Sequence, residues 1–355
     1  MSESGVRWVE VDEHVGLVTD ILTGLGAPEE AARWQAQVLL EGDLRGHPSH
    51  GLRRIEVLAG RIRRGLAVPD AKPRLEWRTP AALAVDGQRG LGPPTAARAV
   101  DALLERLVDT GVAVAAIRDT NHLGMLAPYV ERLAADGVVG LATTTSEALV
   151  HPWGGIPAMV GTNPLAVAVP SEEEPVVLDM ATGEVSMGKV LDHEARGEPL
   201  PQGSVVDARG VPTSDPAEAV KGAISPFGGA KGYALAVTLE VLVASLTGTA
   251  LGRDVRGTLD ATDHCNKGDV LLAIDPAAFG QDDRGPLQRF VEELRSCPVA
   301  PGHERVTVPG DRARERRRAC LGQGAVPIAE VTWERAVAWA TEVGASPGVP
   351  RGEEP

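Results

Sequence analysis

The stretch AALAVDGQRGLGPPTAARAVDALLERLVDTGVAVAAIRDTNHLGMLAPYVERLAADGVVGLATT, residues 81–144, alternates short apolar runs with longer amphipathic ones. The runs at 81–85, 112–117 and 138–144 are short and rich in Val, Ile and Ala, which predicts strands. The segments at 94–108 and 126–135 carry apolar residues at helical spacing, which predicts helices. Strands that alternate with helices predict an α/β domain.

The same pattern continues on both sides of this stretch. Further strands are predicted at 165–169, 176–178 and 270–274, and further helices at 28–41, 49–65, 185–196, 232–245, 286–295 and 331–342. A proline-rich linker at 68–73 separates the helical first seventy residues from the alternating part. The chain is therefore predicted to be α/β with a mixed sheet and helical material at both ends.

Length and composition narrow the class of protein. A chain of 355 residues is long enough for two domains. Aromatic residues make up only 3% of the sequence, so the core must be built from Val, Leu, Ile and Ala. The formal net charge of -14 argues against nucleic acid or an anionic membrane as a partner. It does not exclude a small anionic substrate held by local cations.

The cysteines and the apolar segments favour a cytoplasmic protein. The three cysteines, Cys265, Cys297 and Cys320, are widely spaced and give neither a disulfide framework nor a Cys-x-x-Cys metal pair. We therefore expect reduced thiols and no metal site. Residues 1–10 lack the pattern of a signal peptide. The apolar run at 234–246 is short and interrupted by polar residues, so we expect no membrane span.

The segment Ser49-His50-Gly51-Leu52-Arg53-Arg54 carries a first chemical pattern. If it is helical, His50 and Arg54 are four residues apart and lie on one face. Arginine can bind a carboxylate through two hydrogen bonds, and histidine can protonate an adjacent carbonyl oxygen. The alternative is a surface helix with a solvated arginine and a capping histidine, and spacing alone favours it.

Two loops after predicted strands carry a second set of polar groups. His122 lies in Asn121-His122-Leu123-Gly124, between a strand and a helix, where ligand groups collect in α/β sheets. The alternative is a histidine that caps the helix. The loop from Pro152 to Pro164, which contains Gly161-Thr162-Asn163, is rigid and rich in free N–H donors, or is simply a structured connection.

Nucleotide-binding features are present, although the usual Gly-x-Gly-x-x-Gly fingerprint is absent. Asp179 ends an apolar strand and can accept hydrogen bonds from ribose hydroxyls, or can cap a helix. Gly228-Gly229-Ala230-Lys231 precedes a helix, where free N–H groups and a lysine suit a phosphate. Each feature alone is weak evidence.

Taken together and in order, these segments resemble the malate/L-lactate dehydrogenase family of the non-Rossmann type. The motifs that carry the resemblance span nearly the whole chain: Gly42-Asp-Leu-Arg-Gly46, Ser49-His50-Gly51, Asn121-His122, Pro152-Trp-Gly-Gly155, Gly161-Thr-Asn-Pro164, Leu178-Asp-Met-Ala-Thr182, Gly228-Gly-Ala-Lys-Gly-Tyr233 and Cys265-Asn-Lys-Gly-Asp269. The family includes malate, lactate, sulfolactate and ureidoglycolate dehydrogenases, diketogulonate reductase and a piperideine-carboxylate reductase.

The resemblance implies a fold and an assembly. A mixed, largely antiparallel sheet would form an NAD(P)-binding α/β domain over residues 76–284. Residues 1–75 and 285–355 would build a helical, substrate-side domain. The resemblance also implies a homodimer with active sites near the interface between subunits.

The resemblance further implies a reaction, a hydride transfer between NAD or NADP and a small 2-keto or 2-hydroxy acid, and the residues that carry it. His50 would donate the proton, oriented by Ser49, with Lys189 and His122 as further catalytic groups, and Arg54 and Thr162 would bind the substrate. The cofactor would lie against His122, Leu123, Gly124, Met125, Leu126, Asp179, Met180, Ala181, Ala230, Lys231, Asn266, Lys267 and Gly268.

One position and three departures bear on the substrate. The imine reductases of the family resemble this chain but carry an acid where it has Lys189, so the lysine favours hydroxy-acid chemistry, in which it can stabilise an alkoxide or a second carboxylate. Reduction of a cyclic imine or another C=N or C=O intermediate remains the alternative. His47, Pro48 and His151 differ from the family pattern near the expected pocket. Arg118 is a candidate contact for a 2′-phosphate.

Two other classes of function are disfavoured. A hydrolase with Ser49, His50 and Asp179 as a triad is disfavoured because adjacent side chains on one helix point about 100° apart. A non-catalytic binding protein is disfavoured because His50, Arg54, Asp179 and Lys231 are all present.

Overall fold

The computed structural model describes residues 5–281 and 283–345. In chain order, the strands are β1 (Val6–Glu10), β2 (Arg74–Thr79), β3 (Ala82–Gly90), β4 (Val112–Thr120), β5 (Val139–Thr144), β6 (Ala148–Val150), β7 (Val160–Gly161), β8 (Leu165–Val169), β9 (Val176–Met180), β10 (Val205–Val206), β11 (Pro212–Thr213), β12 (Ala223–Ile224), β13 (Asp269–Ile274) and β14 (Ala325–Ala329). The helices are α1 (Val11–Gly24), α2 (Glu29–Leu44), α3 (Arg54–Arg63), α4 (Gly92–Thr110), α5 (Ala127–Ala135), α6 (Met187–Arg196), α7 (Pro216–Ala219), α8 (Ala230–Thr247), α9 (Gly285–Arg295), α10 (Asp311–Gln323) and α11 (Glu330–Glu342).

A seven-stranded sheet with the order β2-β3-β4-β13-β5-β8-β9 forms the centre of the molecule. Strands β3 and β4 are parallel and are joined by α4, whereas all other neighbours in this sheet are antiparallel. A parallel pair needs a crossover, which α4 supplies, and antiparallel neighbours do not. The predicted mixed, largely antiparallel sheet is therefore confirmed.

Helices α4 and α5 pack on this sheet through an aliphatic core. Alternate strand residues such as Ala113, Ala115 and Ile117 are fully buried in it, as expected for a half-covered strand. Among the buried members of this cluster that the structure describes, Tyr129 alone is aromatic. The expected core of mainly aliphatic side chains is therefore confirmed.

Residues from both chain ends form a second core. It joins α1, α2 and α3 to α11 and to the strand pair β1–β14, in which the first and last described strands run antiparallel. The sequence predicted helices at both ends but not this pair. Strand β1 has only five residues, and four of them are exposed, so it carries no clear alternation.

A smaller sheet with the order β11-β10-β12-β6-β7 encloses a third core around Val150, Val205 and Ile224. It was not predicted, because strands of two or three residues are too short to show a period. Helix α6 contributes Val190 to this core.

Helix α8 is 18 residues long, which is longer than the apolar run expected at 234–246. By length and composition it is the one helix in the described part of the chain that can cross a membrane, although it packs against β4, β5 and β13. One side of the helix therefore contributes to the core of the molecule.

Candidate active site

The turn at 48–51 is held tightly against the end of α2. Pro48–His50 is a single 3-10 turn, and Gly51 has an extended backbone, so α3 begins only at Arg54. The buried carboxylate of Asp43 accepts the Leu52 N–H at 2.7 Å, and it lies where a side chain on Gly51 would be. The prediction of one continuous helix over 49–65 is therefore wrong, and His50 and Arg54 are not one helical turn apart.

The non-helical turn brings Ser49 and His50 together. Ser49 Oγ lies 3.0 Å from His50 Nδ1, so the expectation that the two side chains diverge is also wrong. Because Nδ1 is engaged by the hydroxyl, Nε2 is the nitrogen left for a substrate. The first turn of α6 packs on the same point, since a Cβ on Gly188 would lie 2.6 Å from Ser49 Cβ. Lys189, the next residue, is exposed.

His122 faces His50 from the loop after β4. The two ring centroids are 5.5 Å apart. The Gly124 N–H donates to His122 Nδ1 at 2.9 Å, so the neutral imidazole carries its proton on Nε2. Gly92, at the start of α4, approaches the carbonyl group of His122 so closely that a Cβ there would lie 2.3 Å from its oxygen. The backbone around the second histidine is thus fixed from both sides.

Burial and nearby cations keep both imidazoles neutral. Burial and, to a smaller extent, the charge of Arg54 lower the pKa of His50 to about 3. Burial also lowers the pKa of His122 well below its usual value, with Arg54, His50 and Lys267 adding to the effect. The pKa of Arg54 itself is lowered to about 10 by burial. The site therefore holds two neutral imidazoles beside a cation.

Two arginines of α3 reach a small cavity beside the histidines. Arg54 Nη2 donates to the Thr258 carbonyl at 2.5 Å, and Arg61 Nη1 donates to the Asp260 carbonyl at 2.8 Å. Arg61 Nε also donates to Asn121 Oδ1 at 2.9 Å. The cavity has a volume of about 20 Å³, and its lining includes Arg54, Arg61, Asn121 and His122. Sequence reasoning missed Arg61.

Thr162 lies in a loop that is held by buried polar groups. Its N–H donates to Ser146 Oγ at 2.9 Å, and its carbonyl accepts from the Thr182 N–H at 2.7 Å. The neighbouring Asn163 donates to the buried carboxylate of Glu240 at 2.8 Å. The N–H groups of Gly161 and Thr162 are thus engaged inside the protein, as the alternative of a structured connection has it, and substrate contact by Thr162 stays a prediction.

Asp179 connects β9 to the start of α5. Its Oδ2 accepts the N–H groups of Leu126 and Ala127 at 3.1 and 2.7 Å. Burial raises the pKa of Asp179 to about 6, although the two backbone donors oppose this shift. The carboxylate thus caps α5 from a strand distant in sequence and is not the N-cap residue of a helix that follows it, while Oδ1 has no partner in the described part of the chain. Asp179 does not contact His50, so no Ser-His-Asp triad forms.

Most of the remaining predicted cofactor residues fall into three groups by exposure. Leu123, Gly124, Met125 and Leu126 are buried below His122, whereas Ala230 and Lys231 are exposed at the start of α8. Met180 and Ala181 are half-buried after Asp179.

The segment 266–268 is engaged inside the protein. Asn266 bonds to the backbone of Asp254 and Arg256. The Gly268 N–H donates to Thr145 Oγ1 at 3.1 Å. Lys267 is fully buried in an ion pair with Asp269. Contact between these three residues and a cofactor stays a prediction.

The other singled-out residues lie in ordinary settings. His47, just ahead of the 48–51 turn, and Pro48, its first residue, are exposed, and His151 Nδ1 lies 2.8 Å from the Pro152 carbonyl oxygen. Arg118 is exposed and bonds to Asp86 at 3.3 Å.

The chain belongs to the malate/L-lactate dehydrogenase family, whose model matches residues 9–336. The predicted class, an NAD(P)-dependent oxidoreductase of 2-hydroxy acids, is confirmed with the family. The chain is 36% identical to the malate/(S)-sulfolactate dehydrogenase of Methanothermus fervidus over 86% of this chain and 89% of that protein.

Solved structures agree with this assignment. A dehydrogenase from Sinorhizobium meliloti is 44% identical, with a TM-score of 0.91, over 95% of this chain and 99% of that one. The sulfolactate dehydrogenase of Methanocaldococcus jannaschii is 30% identical, with a TM-score of 0.89, over 96% and 98% of the two chains.

Proposed function

We propose that this chain interconverts a small 2-keto acid and its 2-hydroxy acid with His50 as the group that transfers the proton. The observation that supports this most is the pair of facing neutral imidazoles, 5.5 Å apart, beside the half-buried Arg54. Arg54 binds the carboxylate of the substrate, and His50 Nε2 exchanges a proton with the oxygen on the adjacent carbon.

The charges of the site link substrate binding to proton transfer. Burial and the charge of Arg54 lower the pKa of His50 in the free protein, so an imidazolium forms there only at a high cost. A carboxylate on Arg54 offsets that charge, so His50 can take up a proton from solvent in the complex and then give it to the keto oxygen during reduction, which leaves the imidazole neutral again. In the oxidation direction, neutral His50 is already the base that accepts the hydroxyl proton. Ser49 holds the ring through Nδ1, and His122 lies ready to donate from Nε2.

The residues predicted for the cofactor fit a dinucleotide on two observations. Asp179 Oδ1 has no partner among the residues that the structure describes, which leaves an acceptor for a ribose hydroxyl. Gly228 and Gly229 have φ angles of +58° and +65°, and they open the first turn of α8 beside the exposed Lys231, which suits a phosphate. Bound NAD or NADP supplies or accepts the hydride.

The test is oxidation of NADH and NADPH with a panel that contains pyruvate, oxaloacetate, sulfopyruvate and cyclic imines. We expect turnover of at least one keto acid, and a loss of about 10²- to 10⁴-fold in kcat in His50→Gln, which removes the proton donor. Turnover of an imine alone would overturn the assignment in favour of the imine alternative. Lys189→Asp, compared on keto acid and imine, examines the position that distinguishes the two.

We further propose a homodimer that forms through the exposed face of α8. Val241, Leu242 and Leu246 on this helix are 50%, 44% and 50% exposed, and Leu251 beyond it is 48% exposed. Contiguous apolar side chains of this kind mark interaction surfaces. Light scattering of Leu242→Glu should show a monomer where the wild type is a dimer. Val108→Glu, at an 88% exposed position on α4, is the matched control and should stay dimeric.

The proposal also covers the domain boundaries of the chain and its location in the cell. We assign residues 76–284 to the cofactor domain and 1–75 with 285–355 to the helical domain; the separate cores on the large sheet and at the chain ends support this. A cytoplasmic location is supported by three unpaired cysteines and is tested by cell fractionation.

A further inference from the structure

Arg61 is a buried cation without a counter-ion in the described part of the chain. The side chain is 3% exposed. Two of its nitrogens donate to neutral oxygens, Asn121 Oδ1 and the Asp260 carbonyl, and the third, Nη2, has no partner. Buried charges are normally paired, because a charge removed from water without a partner is costly. This guanidinium therefore has an unused donor and an uncompensated charge.

Arg54, two turns earlier on α3, is a second cation without a counter-ion in the described part of the chain. Its guanidinium donates to a neutral carbonyl, that of Thr258, and among residues 5–281 and 283–345 it makes no ion pair. The charge of Arg61 lowers the pKa of Arg54, although burial lowers it more, so the two cations are close enough to repel each other. Both line the same cavity as His122.

The acidic and basic groups around the cavity do not neutralise this pair. Glu147 is the carboxylate that acts on Arg54, but its Oε1 accepts from the Thr258 N–H, the Thr258 hydroxyl and the Leu259 N–H. Neither arginine lies within ion-pair distance of it. The buried Lys267 and Asp269 neutralise each other. Hydrogen bonds from Thr262 lower the pKa of Asp260, and the charge of Arg61 adds to this, but the Asp260 carboxylate makes no ion pair with Arg61 and does not line the cavity. The cavity therefore carries about two positive charges and, among the described residues, no acid in its lining.

The spacing of Arg54 and Arg61 along α3 suits a ligand that carries two acidic groups. Residues 54 and 61 are seven apart, so they lie on one face with about 10 Å of helix rise between them. Long side chains that converge on one cavity shorten that separation at their ends. Both are held by carbonyls of one loop, residues 258–260, whose oxygens occupy the positions that acidic oxygens of a ligand would take.

We propose that Arg61 is a specificity-determining residue that binds a second acidic group, a carboxylate or a sulfonate, at the far end of the substrate. The inference rests on the proposed function, in which Arg54 binds the first carboxylate. On this proposal the substrates carry two negative charges, and Arg61 is the residue that discriminates against acids with a single charge.

The test compares oxaloacetate with 2-oxobutyrate, which has the same four-carbon chain but a methyl group in place of the second carboxylate. We expect the wild type to prefer oxaloacetate in kcat/KM, and Arg61→Gln to lose about 10- to 100-fold with oxaloacetate, the value of a charge-assisted hydrogen bond. Turnover of 2-oxobutyrate should change by less than about threefold, because this substrate has no group for Arg61.

Arg64→Gln is the matched control. Arg64 is exposed, donates to the Ala261 carbonyl of the same loop and does not line the cavity, so its loss should affect both substrates equally and weakly. Equal losses on both substrates in Arg61→Gln would show a purely structural role through Asn121 and would overturn the proposal. A wild type without preference for the dianion would overturn it as well.

Calorimetry separates this proposal from the proposed function. Binding of malate and of 2-hydroxybutyrate to the wild type and to Arg61→Gln is measured without turnover. A selective loss of malate affinity supports the role of Arg61 even if no keto acid is reduced. Unchanged malate affinity in the variant overturns that role even if hydride transfer is found.

Discussion

His50 should make the protein less stable as the pH falls below 6.5. The ordinary pKa of its imidazole is 6.5, and burial lowers the pKa in the folded protein to about 3. Between these values the unfolded chain binds a proton that the folded protein does not, so acid favours unfolding. At pH 4.5, two units below 6.5, this one group lowers the free energy of unfolding by about 2.7 kcal/mol, and the loss is complete below pH 3.

The measurement is urea unfolding at pH 6.5, 5.5 and 4.5 for the wild type and His50→Gln. Glutamine does not titrate, so the variant should lose about 2 to 3 kcal/mol less than the wild type between pH 6.5 and 4.5. His303→Gln is the control, because His303 is exposed, and it should follow the wild type. Parallel curves for the wild type and His50→Gln would refute the argument that burial keeps this imidazole neutral.

Three further substitutions test how the site is supported. Asp43→Ala should cost about 3 to 5 kcal/mol in urea unfolding, because it leaves a buried N–H and a buried histidine without their acceptor; a loss under 1 kcal/mol would contradict this. Gly188→Ala places a methyl group 2.6 Å from Ser49 Cβ and should lower kcat/KM about 10- to 100-fold with an unchanged circular dichroism spectrum; wild-type kinetics would argue against that contact. Glu131→Gln removes one carboxylate from buried Arg45 and should cost about 3 kcal/mol, seen as a lower thermal midpoint; an unchanged midpoint would speak against it.

The sequence predicted the large sheet well because its strands are long enough to show a period. The segments 112–117 and 165–169 were predicted as strands and are part of β4 and β8. The five-stranded sheet was missed because its strands have two or three residues and depend on contacts distant in sequence.

The sequence indicated which residues form the site better than it indicated how they are arranged. His50 was singled out correctly as a residue of a polar cluster with Ser49, Arg54 and His122, but the assumed helix was wrong because pattern cannot show a carboxylate packed against Gly51. Arg61 was missed because residues 53–64 contain five arginines, which look alike in sequence. Only burial separates Arg61 from its neighbours.

The hydrogen bonds from Arg54 and Arg61 to the loop at 258–260 bear on how fast a substrate binds. A cavity of about 20 Å³ holds roughly one water molecule, so we expect an acid to reach both arginines only after the loop has moved away from them. We therefore expect a two-step association whose observed rate levels off at high substrate concentration, with the plateau set by the opening of the loop rather than by diffusion.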